Sequence, residues 1–308
     1  MKPVRPADLI AVQPPRRTVA FSRRSLLLGG LGLAALSGPA FAGYAGVEAA
    51  SMLDVTRYKL RPRGWPAGQR LTITVIADLH AGGPNMGLAR IRDIVDASNA
   101  LQSDIVLLLG DFVATHRFVT EPVAAPVWAA ELMRLKAPLG VHAILGNHDW
   151  WFHQADIRAA LAGARIPLME NDAVLLGEAG ARFWLAGLGD QLAVPLGHGR
   201  FRGADDLAGT MARITTDDPV ILMAHEPDIF TSVPERVSLT LAGHTHGGQV
   251  RLPLVWPAFV PSQYGARFAY GHIVEGGRDL IVSGGLGTSV VPLRVGVPPE
   301  IVHVELAA

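Results

Sequence analysis

The stretch Leu71-Thr72-Ile73-Thr74-Val75-Ile76-Ala77-Asp78-Leu79-His80 is apolar and β-branched for most of its length, then breaks into an aspartate and a histidine one residue apart. A short run of this composition, bounded by polar residues, reads as a buried strand. Extended backbone alternates its side chains, so Asp78 and His80 emerge on one face, roughly 6–7 Å apart along the chain. Two ligands of one ion can sit in that way.

The same construction recurs four times further along. Ile105 to Leu109 ends at Gly110-Asp111, and Val141 to Leu145 ends at Gly146-Asn147-His148-Asp149. Val220 to Ala224 ends at His225, and Leu239 to Ala242 ends at Gly243-His244-Thr245-His246. Helix-period stretches lie between the earlier runs. Ile91, Ile94, Val95 and Leu101 share one face, and Val127, Ala130, Glu131, Leu132 and Leu135 form a less regular one. Ile157 to Leu161 reads as a shorter helix. Buried β-rich runs alternating with helices predict an α/β layered fold, in which ligands gather where strands end and loops begin.

Five of the eleven histidines, His80, His148, His225, His244 and His246, fall at these strand ends. Gly110 lets the backbone turn sharply and present the Asp111 carboxylate inward, where its two oxygens could bridge two ions. His244 and His246 repeat the spacing of Asp78 and His80, and Asn147 offers a neutral carbonyl oxygen. The other histidines read as surface or core residues, although His116 is close enough to Asp111 in sequence to line a pocket.

Composition narrows the chemistry. About half of the 308 residues are apolar and 18% are charged, enough to bury a sizeable core. There is no cysteine, which rules out disulfides, thiolate metal sites and a cysteine nucleophile. Any metal must therefore be held by imidazole, carboxylate and amide oxygen, a donor set suited to hard and borderline divalent ions. The formal net charge is zero, but the first 42 residues carry six basic side chains and one acid, leaving about −5 for the rest. A mildly acidic body is a poor match for nucleic acid, and no nucleic-acid partner is expected.

The basic excess sits in a targeting signal. Ser22-Arg23-Arg24-Ser25 precedes an apolar run to about Leu36, and Pro39-Ala40-Phe41-Ala42 supplies an A-x-A arrangement of the kind signal peptidase cuts. The run is short for a membrane span, which needs roughly 20 apolar residues. Residues 1–42 are expected to be a twin-arginine (Tat) signal, which exports folded proteins, with periplasmic or envelope location as the consequence. A general secretory signal, or an uncleaved anchor extended through Val47 and Ala50, are the alternatives. Residues 43–70 then form a lead-in, and a single domain spans 71–308.

The ordered set Asp78-x-His80, Gly110-Asp111, Gly146-Asn147-His148-Asp149, His225 and Gly243-His244-x-His246 resembles the calcineurin-like metallophosphoesterase superfamily in both order and spacing. The resemblance implies an αββα sandwich of four layers, two mixed β-sheets flanked by helices. It implies a first metal site from Asp78, His80, Asp111 and His246, and a second from Asp111, Asn147, His225 and His244. The metals would be manganese, iron or zinc. The tail Gly284-Gly285-Leu286-Gly287-Thr288-Ser289, with Pro292, Arg294 and Pro298-Pro299-Glu300, resembles a bacterial branch of phosphodiesterase-like proteins, many of which carry twin-arginine signals or membrane anchors.

The expected chemistry is hydrolysis of a phosphate ester, a diester in the first instance, by in-line attack of a hydroxide bridging the two metals. A phosphomonoesterase, or an enzyme like the UDP-diacylglucosamine hydrolase of lipid A synthesis, is the alternative. His148 is the candidate to protonate the leaving oxygen. Asp149 either orients that ring or caps a helix. Arg294 and His116 are weaker candidates for contact with substrate phosphate. Leu252 to Pro261, apolar and broken by prolines, is a candidate contact with a lipid-linked substrate or a membrane surface, or else a packed loop.

Overall fold

The computed structural model describes residues 38–152, 154–251 and 260–307. The arginine pair with most of the expected signal, and residues 252–259 of the apolar stretch, lie outside the described residues. Among the described residues no helix is long and apolar enough to cross a membrane.

Two mixed sheets stack face to face. The first has the order β1-β13-β2-β3-β4, from β1 (Asp54–Leu60), β13 (Glu300–Leu306), β2 (Leu71–Ile76), β3 (Ile105–Leu108) and β4 (Val141–Ala143). The second has the order β11-β12-β10-β9-β6-β5, from β11 (Gly271–Glu275), β12 (Arg278–Val282), β10 (Val237–Ala242), β9 (Val220–Met223), β6 (Phe183–Gly187) and β5 (Asp172–Leu176). A small hairpin, β7 (Val194–Gly197) and β8 (Arg200–Arg202), stands apart. The helices are α1 (Gly38–Ser51), α2 (Leu88–Ala100), α3 (Ala125–Leu132), α4 (Asn147–Trp151), α5 (Gln154–Gly163) and α6 (Leu207–Ala212). This is the expected α/β sandwich with helices on its outer faces.

Burial on both faces explains why the central strands β2, β3, β9 and β10 carry no charged residue. Ile105 and Leu107 of β3 point between the sheets, where they join Ile221 and Met223 of β9 and Leu239 and Leu241 of β10. Val106 and Leu108 point the other way, under Ile91, Ile94, Trp128 and Leu161 of the helix layer. On the far side, Val220 and Leu222 pack with Phe230 and Phe268. Each central strand is covered on both faces, so the period-2 signal of a half-exposed strand disappears.

Two expectations need correction. The folded unit begins before Leu71, because β1 pairs in parallel with β13 along its whole length, from Asp54 with Glu300 to Leu60 with Leu306. As an edge strand, β1 (DVTRYKL) carries polar residues and lacks the apolar signature of the central strands. The buried face of α3 is Trp128, Ala129 and Leu132, whereas Val127 is exposed. One bulky indole, stacked on Phe112 at 5.0 Å, decides which side of this short helix turns inward.

Strands β2, β3 and β4 run parallel, as do β6, β9, β10 and β12. The carboxyl ends of β2, β3, β4, β9 and β10 carry all five candidate ligand segments. That topology positions the site.

Candidate metal centre

The seven expected ligands, separated by up to 168 positions in the chain, converge at those strand ends and are buried. Donor atoms of Asp78, His80 and His246 lie within 4.8 Å of one another, as do those of Asp111, His225 and His244. Asp111 joins the groups: its Oδ2 is 3.5 Å from Nε2 of His80 and 3.3 Å from Nε2 of His225. Asn147 completes the second group, with Oδ1 2.9 Å from Nδ1 of His244.

Local backbone conformation aims these side chains. Asp78, His80, Asp111, His244 and His246 all have positive φ, between 45° and 69°, where residues other than glycine are uncommon. Such conformations cost roughly 1–3 kcal/mol each and persist where surrounding structure enforces them. Gly146 is required by close approach, since a Cβ there would lie 2.6 Å from Cε1 of His225. Gly285 has φ 70°, and a Cβ there would lie 2.7 Å from Cβ of Asp78. The glycine-rich tail is thus the back wall of the first ligand group, fixed by Leu286 N–H to Ala77 O and Gly287 N–H to Asp78 O.

The donors fit divalent cations. Burial holds the imidazoles of His80 (to about 3), His244 and His246 below the usual histidine range, which keeps them neutral, as ligation requires. Nε2 of His80 and of His246 face each other at 3.1 Å, and buried Nε2 of His244 has no hydrogen-bond partner. Burial pushes the Asp78 carboxyl up to about 7, with His225 opposing and Asp111 adding to the shift. Burial also works against ionised Asp111, but His225, His148 and His80 together hold it well below the carboxylate range. His225 is the exception among the rings. Burial acts to lower it, yet Asp111 holds it well above the usual range, so a cation bound there displaces a proton. Nδ1 of His80 meets Val113 O at 3.1 Å and Nδ1 of His225 meets Leu109 O at 2.7 Å, the carbonyl partners that orient ligating histidines.

The other candidates divide. The His148 ring stands edge-on to His80 with centroids 4.9 Å apart, held by Thr115 Oγ1 at Nδ1 and by Ser289 Oγ, 3.4 Å from Nε2. Of the two roles open to Asp149, the geometry matches the cap: it accepts from Phe112 N–H at 2.8 Å and Gly146 N–H at 3.0 Å, closing the first turn of α4. Arg294 turns inward and away from substrate. It is fully buried, and its guanidinium donates to the carbonyls of Gly284, Gly287 and Val297 and reaches Nδ1 of His246 at 3.1 Å. His116 is half-buried at the edge of the site, and burial, aided by His148, lowers its pKa.

The structure adds Asp190 and Glu226, both buried, whose carboxylates lie within 4.8 Å of the His225 ring nitrogen. Burial and the Glu226 charge push Asp190 up to about 10. The signal was present: β6 ends at Gly187 and is followed, after Leu188, by a Gly-Asp pair, Gly189-Asp190.

The sequence pattern of the calcineurin-like phosphoesterase family matches residues 71–248. The chain belongs to that family. Among relatives, this calcineurin-like phosphoesterase is 28% identical to the metallophosphoesterase YkuE of Bacillus subtilis over 91% of its own length and 96% of the relative's. It is 29% identical to the phosphodiesterase YaeI of Escherichia coli, over 76% and 81% of the two chains. It is also 29% identical to a bovine transmembrane protein with a metallophosphoesterase domain, over 79% of this chain but only 54% of that protein. Fold and ligand clusters together make it a metal-dependent hydrolase with a dinuclear site.

Proposed function

We propose that this protein is a phosphodiesterase exported through the twin-arginine route, acting on a phosphate diester at the cell envelope. The observation that carries the reading is the single carboxylate of Asp111 set between His80 and His225, which joins two ligand groups into one centre. The likeness to a phosphodiesterase, YaeI, supports the diester preference. Arg23-Arg24, followed by an apolar run and Ala40-Phe41-Ala42, supports export.

When bound, two divalent cations (manganese, iron or zinc) supply positive charge at the phosphate oxygens and make a bound water acidic enough to ionise near neutral pH. The chain's own residues do the rest. His148 lies beside the two ligand groups and delivers a proton to the departing oxygen, while Thr115 and Ser289 hold its ring. Asp149 fixes the start of α4, and thereby the direction of Asn147 and His148. Arg294 positions His246 from behind. The test is metal analysis of protein purified without chelator, followed by assay on bis-p-nitrophenyl phosphate and p-nitrophenyl phosphate. Two equivalents of metal and faster diester turnover are expected; faster monoester turnover overturns the diester preference. Export is checked by fractionating cells that express an Arg23→Lys, Arg24→Lys variant, which should stay in the cytoplasm.

A further inference from the structure

Beside the metal centre runs a cleft of about 850 Å³, bounded by the 113–126 segment and helices α3 and α5. Its walls include Val123, Ala130, Met133, Phe152, Ile157 and Ala159, and its only polar lining residues among those described are Thr115, His116 and Asp156. One end adjoins the centre through the lining residues Val113, Thr115 and Phe152. Val113 O receives Nδ1 of His80, Thr115 contacts Nδ1 of His148, and Phe152 N–H donates to His148 O at 3.1 Å. At the rim, Met133 and Phe152 are 55% and 47% exposed.

Thr115 lines the cleft and also touches His148, so an apolar cleft adjoins the residue serving the departing oxygen and can select what that oxygen carries. A sugar or nucleoside needs hydrogen-bond partners along the wall. Here the polar groups stop at the metal end, and the wall beyond is hydrocarbon apart from Asp156. A methylene chain needs no such partners and gains from every carbon it buries.

We propose that this cleft binds the hydrocarbon chain of a lipid-like phosphate ester, with the ester oxygen at His148. The proposal rests on the phosphoesterase reading and names its substrate class. Hydrolysis would break the P–O bond to the chain-bearing alcohol, form a P–O bond to the oxygen of water, and leave that alcohol protonated.

The test uses the metal-loaded full chain and bis-p-nitrophenyl phosphate as reporter, with ethyl, butyl and octyl phosphate as competitors below their micelle concentrations. Inhibition constants should fall roughly two- to fourfold per added methylene over the buried part of the chain. Ala159→Phe and Ala130→Phe, on exposed faces of α5 and α3, fill the cleft and should flatten that dependence. Calorimetric binding of octyl phosphate to metal-free protein should weaken at least tenfold in the same variants. If the reporter is not hydrolysed, the phosphoesterase reading itself fails. If it is hydrolysed and inhibition ignores chain length, or the filled variants keep the parental slope, the cleft proposal is overturned while that reading stands.

Discussion

Nδ1 of His246 faces Nη2 of Arg294 at 3.1 Å, while Nε2 of the same ring faces Nε2 of His80 at 3.1 Å. A guanidinium only donates, so the imidazole accepts at Nδ1. His80 and His225 instead have a backbone carbonyl at that position, the usual partner of a ligating histidine. The ring closest to Arg294 is therefore held by a fixed cation.

Replacing Arg294 tests that role. Arg294→Met strips donors from the carbonyls of Gly284, Gly287 and Val297, and breaking a buried charged network costs roughly 3–5 kcal/mol. Calorimetry should show Tm lower by roughly 6–20 °C. Metal analysis of the folded variant should show loss at the Asp78–His80–His246 group before the other. Parental Tm together with full metal content would remove Arg294 from this account.

His148→Ala should keep both metals and lose roughly 10²–10⁴-fold in kcat, the usual contribution of a general acid. Thr115→Val removes one hydrogen bond to that ring, worth about 0.5–1.5 kcal/mol, and should cost roughly two- to tenfold. Steady-state assays paired with metal analysis separate the two effects from loss of the centre. Asp111→Asn should differ in kind, losing metal from both groups.

Gly146→Ala should destabilise by about 1–3 kcal/mol, because its methyl group meets the His225 ring and nothing nearby can move without disturbing a ligand. Gly46→Ala is the contrast. That glycine lies inside α1 with no atom within 4 Å of an added Cβ, so the change should stabilise by about 0.5–1 kcal/mol. Chemical denaturation of both variants reads the difference.

Glu300 supplies a pH prediction away from the ligands. It accepts from Tyr270 Oη at 2.8 Å, Gly284 N–H at 2.7 Å and Thr56 Oγ1, yet burial raises its pKa above the ordinary value. A carboxyl raised on folding contributes stability that is complete below its unfolded pKa and is lost as pH rises through the folded one. Glu300→Gln lacks this titration. The Tm difference between parent and variant, measured in chelator, should therefore narrow from pH 5 to pH 8. A gap that widens would contradict the direction.

Much of the centre could be read from residue order, because the clue is local. An apolar run that stops at Gly-Asp or Gly-x-His reports a strand end, and strand ends of a parallel sheet share one edge. The edge strand β1 escaped that logic because one side of it faces solvent and its sequence is mixed. Asp190 satisfies the same local rule as Asp111, and only the fold shows that it stands beside Glu226 and His225. Arg294 near prolines looks like a loop residue, and only its burial behind His246 shows what its donors serve.

The sequence by itself determined which side chains can ligate, that cysteine chemistry is excluded, and that five strands end in donors. These follow from residue type and short-range periodicity. The tertiary structure decided which donors meet: His80 and His246, 166 positions apart, and Asp111 between two histidines from different sheets. It also decided that Asp149 caps a helix, that Arg294 faces inward, and that an apolar cleft opens beside His148. Those outcomes depend on packing between distant segments, and no local pattern encodes the distance between them.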